Sequence, residues 1–69
     1  MTLHQLKVFS KVAKLRSFTL TAASLHVTQP SVTFVIQSLE RELGAKLFEK
    51  LGNKVHLSGA GKKLLHHAQ

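Results

Sequence analysis

From Leu3 the apolar residues Leu6, Phe9, Val12 and Ala13 follow at steps of three and four, which places one hydrophobic stripe along a helix. Thr2, with Gln5 three positions on, forms a capping box at its start, and Arg16 and Ser17 close it. Ser17 then caps a short second helix carrying Phe18, Ala22, Ala23 and Leu25, whose paired alanines admit a close neighbour. His26 and Val27 make a tight connection to Thr28, the cap of a third helix whose Pro30 lies in the first turn, where a missing N–H is harmless. Along that helix Val32, Val35, Ile36, Leu39 and Leu43 define the buried face, and Gly44 supplies a left-handed stop. Pro30, Thr33, Phe34, Gln37 and Arg41 are left facing outward.

After Gly44 the period changes. Lys46 to Lys50 and Lys54 to Leu57 read as two short strands around a tip of Leu51, Gly52 and Asn53. Ser58 begins a final helix with Leu64, Leu65 and Ala68 on its apolar side, and the chain stops at Gln69 with that helix under way, as a truncated piece would. The expected fold class is mainly α: a three-helix core with a small β-hairpin, followed by the start of another helix.

Sixty-nine residues at 43% apolar supply one small core and no room for a second domain or an enclosed substrate cavity. Ten Lys and Arg against three Asp and Glu leave a formal charge of +7, so the expected partner is a polyanion. The absence of Cys removes disulfides, thiolate metal cages and a cysteine nucleophile, and an unstapled domain of this size suits a reducing cytoplasm. The longest apolar run, Phe34 to Ile36, is too short for a membrane span, and no basic segment followed by a hydrophobic block marks a signal peptide.

The three carboxylates, Glu40, Glu42 and Glu49, offer no acid–base pair, and Glu40 and Glu42 diverge at a helix end. His4, His26 and His56 fall in different elements, while the adjacent His66 and His67 point about 100° apart on a helix, so no metal site is expected. Lys7, Lys11 and Lys14 recur on one helical face away from the apolar stripe and read as solubilising surface.

Two consecutive helices joined by a very short turn have the spacing of a helix-turn-helix. With Phe18 as the first position, Ala22 is fifth, Leu25 eighth, Val27 tenth, Val32 fifteenth and Val35 eighteenth, the places that must be small or apolar for the two helices to pack. His26 takes the ninth place, where glycine is commoner. A basic hairpin directly afterwards makes a wing, bringing Lys50, Asn53 and Lys54 to a DNA backbone or minor groove. Gln29, at the start of the third helix, can bind adenine bidentately or a phosphate, or serve the helix cap.

Over the whole length from Met1 to Gln69 the sequence resembles the N-terminal DNA-binding domain of LysR-type transcriptional regulators. The resemblance rests on Leu3-His4-Gln5-Leu6 with Phe9, on Ser17-Phe18-Thr19 with Ala22-Ala23 and Leu25, and on Val27-Thr28-Gln29-Pro30-Ser31-Val32. It continues through Leu39-Glu40, Leu43-Gly44, Leu47-Phe48-Glu49 and Leu57-Ser58-Gly59-Ala60-Gly61. It implies a winged helix-turn-helix over residues 1–58 with Thr28 to Leu43 as recognition helix, and a dimerisation linker helix starting over residues 59–69 through Leu64, Leu65 and Ala68. It further implies a bacterial, non-enzymatic regulator in the cytoplasm at the nucleoid, binding an inverted-repeat operator in double-stranded DNA as a homodimer, or in the intact protein as a dimer of dimers. A small-molecule effector would bind only through a C-terminal domain outside this sequence, and no cofactor, metal or membrane is implied.

The DNA-contacting set expected on these grounds is Thr28, Gln29, Pro30, Ser31, Thr33, Phe34 and Gln37 on the helix with Lys50, Asn53 and Lys54 in the wing. Two helix positions depart from the family pattern: Thr33 stands where serine is common, and Phe34 where arginine is. Leu51 stands in the wing where a small polar residue is usual. Phenylalanine cannot bind guanine O6 and N7 or a phosphate, but it can pack on a thymine methyl, cover neighbouring backbone or meet a partner protein. Two other classes stand beside DNA binding. A winged helix used for protein docking is favoured by Phe34 and disfavoured by the charge; a membrane-adsorbing amphipathic element would need long helices with an open apolar face.

Overall fold

The computed structural model describes residues 1–68, in the order α1 (Leu3–Leu15), α2 (Phe18–Leu25), α3 (Gln29–Leu43), β1 (Phe48–Leu51), β2 (Lys54–Leu57) and α4 (Gly59–Ala68). Each of the first three helices starts on a hydroxyl cap. Thr2 Oγ1 accepts the Gln5 N–H at 3.1 Å while Gln5 Oε1 accepts the Thr2 N–H at 2.9 Å, the reciprocal pair that satisfies two orphan donors at once. Ser17 Oγ accepts from Leu20 N–H at 3.0 Å, and Thr28 Oγ1 from Ser31 N–H at 3.3 Å.

The same three helices end on left-handed residues: Arg16 at φ 53°, His26 at φ 57° and Gly44 at φ 70°. Arg16 thus serves as C-cap one residue before Ser17 serves as N-cap, and the chain reverses with almost no loop. Between α2 and α3 only His26, Val27 and Thr28 intervene, and the Val27 N–H returns to the Ala22 carbonyl at 3.0 Å.

The core is formed by Val8, Phe9 and Val12 of α1, Ala22 of α2, Val32, Ile36 and Leu39 of α3, with Leu47 and Val55 closing it from the hairpin side. Thr21 is wholly buried beside them, and its hydroxyl donates to the Ser17 carbonyl at 2.7 Å, so no polar atom is stranded. Phe48 carries the wing onto the helices through its ring, 5.4 Å from that of Phe9 and 5.8 Å, edge-on, from that of Phe18.

Several apolar expectations are corrected. Leu3 is 83% exposed and Leu43 41% exposed, because both lie on terminal turns at one open rim, where the Met1 amine pairs with Glu42. Ala23 is exposed and Ala22 alone makes the close approach, since successive helix positions diverge by about 100°. The first strand begins at Phe48, not Lys46, and Leu51 belongs to it, paired with Lys54. The turn is therefore the two residues Gly52 and Asn53, with positive φ at Gly52 only, the pattern of a type II′ hairpin.

Ser58 locks α4 onto this frame. Its hydroxyl donates to the Lys46 carbonyl at 2.5 Å and accepts from Gly61 N–H at 3.0 Å, while its own N–H donates to the Leu47 carbonyl at 2.9 Å. Gly61 is buried so closely under the same Leu47 carbonyl that a methyl group there would overlap its oxygen.

Candidate nucleic-acid interface

The geometry of α3 follows from its two sides. Val32, Ile36 and Leu39 face the core, and Gln29, Pro30, Phe34, Gln37 and Arg41 are exposed, with Thr33 half-buried at the boundary. The hairpin stands beside this helix because Glu40 reaches out of its last turns. The Glu40 carboxylate, only 12% exposed, accepts the Leu47 N–H at 2.8 Å through Oε2 and lies 3.9 Å from the Lys46 ammonium through Oε1.

Between α3 and the wing runs a cleft of about 440 Å³. It gathers Gln29, Thr33 and Gln37 from the helix with Lys50 and Asn53 from the wing, five of the ten residues expected to touch DNA. Of the wing cations Lys50, paired with buried Val55, lines the cleft and Lys54, paired with Leu51, does not. Pro30 and Phe34 lie on the outermost face of α3, also beyond the cleft lining. Thr28 and Ser31 stand together at the helix start, their hydroxyl oxygens 2.8 Å apart in the cap, both exposed.

Arg16 and Thr19 line the same cleft and were not singled out from the sequence. Arg16 registers there only as a helix breaker; the legible sign was a cationic residue placed between one helix end and the next helix cap, where the side chain must leave the bundle. Among the described residues, neither Arg16 nor Lys50 has a carboxylate within salt-bridge distance. Glu42 is engaged by the Met1 amine, and Glu49 sits across the hairpin from His56. The cleft therefore carries Arg16 and Lys50 without an ion-pair partner beside amide and hydroxyl groups. Glu40, held by Lys46 and the Leu47 N–H, and Glu49 also line it, so its cations outnumber its carboxylates three to two, which suits phosphates flanking hydrogen-bonding edges.

Leu64 and Leu65 of α4 are half-buried and pack against the core of their own chain, which leaves part of each side chain open; the side chain of Ala68 lies outside the described residues. Among the described residues no three His, Asp or Glu side chains come together as a metal cage, and no helix is long and apolar enough to cross a membrane.

Comparison with known proteins places this arrangement. Residues 3–62 match the family model of bacterial regulatory helix-turn-helix proteins of the lysR family. The chain is 43% identical over 68 residues to the RuBisCO operon transcriptional regulator of Allochromatium vinosum, covering 99% of this chain and 22% of that protein. It is 45% identical over 69 residues to the HTH-type transcriptional regulator TfdT of Cupriavidus pinatubonensis, covering 100% of this chain and 30% of the relative. These relatives are transcriptional regulators, not enzymes, and the chain spans well under half of either. The structure of the BenM DNA-binding domain in complex with catB site 1 DNA superposes with a TM-score of 0.93 at 35% identity, over 99% of this chain and 76% of that one. The winged helix-turn-helix with its antiparallel two-stranded wing is thus the fold of those domains, and the chain belongs to the lysR family of bacterial regulatory helix-turn-helix proteins.

Proposed function

We propose that this chain is the DNA-reading domain of a bacterial transcriptional regulator, with α3 in the major groove and the wing alongside on the backbone or minor groove. The observation that carries this reading is the cleft that unites Gln29, Thr33 and Gln37 with Lys50 and Asn53, on a chain of formal charge +7. An α-helix is about 10–12 Å across with its side chains and the major groove about 12 Å wide, so an exposed helix edge flanked by cations matches it in size and charge. The solved BenM domain, of the same fold, is bound to DNA.

Roles divide by chemistry. Arg16, Lys50 and Lys54, with Asn53 and the capped start of α3 at Thr28 and Ser31, hold phosphates; Gln29, Pro30, Thr33, Phe34 and Gln37 face the bases. Residues 1–58 form the reading unit and α4 from residue 59 begins a linker that pairs two subunits through Leu64, Leu65 and Ala68. A homodimer then requires two half-sites in inverted repeat about one or two helical turns apart. The site of action is the bacterial chromosome in the cytoplasm, and a small-molecule effector would act through a C-terminal domain of the longer protein.

The test is fluorescence anisotropy on a random duplex at rising salt. Log affinity is expected to fall linearly with log salt, with a slope counting the phosphates neutralised. Binding that ignores salt, or none at physiological salt with two copies tethered together, would overturn the proposal and bring forward protein docking.

A further inference from the structure

We propose that Phe34 reads thymine, packing its ring on the 5-methyl group in the major groove; this deepens the DNA reading above and rests on it. Phe34 is 65% exposed, while Ile36, two positions on, is 2% exposed. At about 100° per residue the two point to nearly opposite sides of α3, so the ring stands at the middle of the face turned from the core. Its neighbours one turn away on that face are Pro30 and Gln37, with Arg41 one turn further, all exposed.

On α3 the ring has no large exposed hydrophobic neighbour. The other large exposed hydrophobic residue of α3, Leu43, lies nine positions on and thus about half a turn round the helix. A protein-docking surface is a contiguous apolar patch of some hundreds of Å² with a polar rim, which one ring among Pro30, Gln37 and Arg41 does not make. Base edges in the major groove present donors and acceptors and a single apolar group, the thymine methyl. A side chain with no hydrogen-bonding atom, held at the centre of a helix face shared with Pro30, Gln37 and Arg41, is complementary to that group.

The test deletes the methyl and nothing else. A duplex enriched from a random pool by the chain itself is resynthesised with deoxyuridine for each thymine in turn, and bound to the wild type and to Phe34→Ala. Because Phe34 lies outside the packed core, the variant should melt with the wild type, which verifies that it is folded. At one thymine per half-site, loss of the methyl should weaken the wild type about fourfold, the transfer worth of one buried methyl. Phe34→Ala should be weaker on the thymine duplex and indifferent to the methyl, a double-mutant cycle that assigns the contact. The assignment fails if no thymine responds, or if Phe34→Ala responds as the wild type does. If either occurs while salt-sensitive binding to random duplex persists, the thymine assignment alone is lost; absence of all duplex binding removes the DNA reading with it.

Discussion

Glu40 and Leu47, seven residues apart, are joined by a 2.8 Å hydrogen bond from the Leu47 backbone N–H to the Glu40 carboxylate, which fixes the wing to the last turns of α3. Leu47 is itself wholly buried, so its amide has no water to turn to when that acceptor is removed. Glu40→Ala is expected to destabilise the domain by about 1–3 kcal/mol, the cost of an unsatisfied buried donor. Glu40→Gln keeps an acceptor oxygen and should recover most of that loss. Thermal melts of the three proteins check the order, and equal melting temperatures would show that the bond does not hold the wing.

A second prediction contrasts two glycines of α4. At Gly61 an added Cβ would overlap the Leu47 carbonyl oxygen and lie 2.8 Å from Leu57 Cδ2, whereas at Gly59 nothing lies within 4 Å. Gly61→Ala should cost about 1–3 kcal/mol through overpacking. Gly59→Ala should be neutral or slightly stabilising, since alanine is the better helix former. Denaturant midpoints distinguish them; similar values would mean that α4 shifts freely away from the hairpin.

Arg16 allows stability and binding to be moved in opposite directions. Its left-handed backbone, φ 53°, disfavours any residue with a Cβ by roughly 1–2 kcal/mol, a strain glycine relieves. Arg16→Gly should therefore melt no lower than the wild type, yet lose one cation from the cleft and flatten the salt dependence of duplex binding by about 1 in slope. An unchanged slope would remove Arg16 from the interface.

The reach of the sequence is set by the range of each interaction. The Thr2–Gln5 capping box and the Ser17 and Thr28 caps were legible because each is complete within four residues. The α3 core at Val32, Ile36 and Leu39 followed from periodicity for the same reason. Periodicity overreached at Leu3 and Leu43, since a stripe does not say where the neighbouring elements end, and it passed over Val8 and Thr21, whose burial depends on how three helices meet. The bonds Glu40–Leu47 and Ser58–Lys46 link elements across turns, and no local pattern announces them. In the candidate interface, Gln29, Thr33, Gln37, Lys50 and Asn53 are each legible in the sequence as separate residues. Their shared cleft, and its inclusion of Arg16 and of Lys50 but not Lys54, required the fold.

Self-association offers a fourth prediction. A helix of ten residues is about 15 Å long, and Leu64 and Leu65 already cover the core of their own chain in part. The surface they retain falls short of the roughly 1,000 Å² that a stable interface needs. Sedimentation of this 69-residue chain at micromolar concentration should show monomer or weak dimer. A tight oligomer would place the dimer contact on another face.

The central claim is that one cleft combines base reading on α3 with phosphate binding in the wing. Its most direct measurement is a salt series of anisotropy binding for wild type, Gln29→Ala and Lys50→Ala, each on a random duplex and on a duplex enriched by the chain. Gln29→Ala should erase the preference for the enriched duplex while keeping the salt slope, and Lys50→Ala should lower the slope by about 1 on both duplexes while keeping the preference. If instead Gln29→Ala leaves the preference intact, or both variants weaken the two duplexes alike at every salt concentration, α3 and the wing do not share the work in this way and the claim is contradicted.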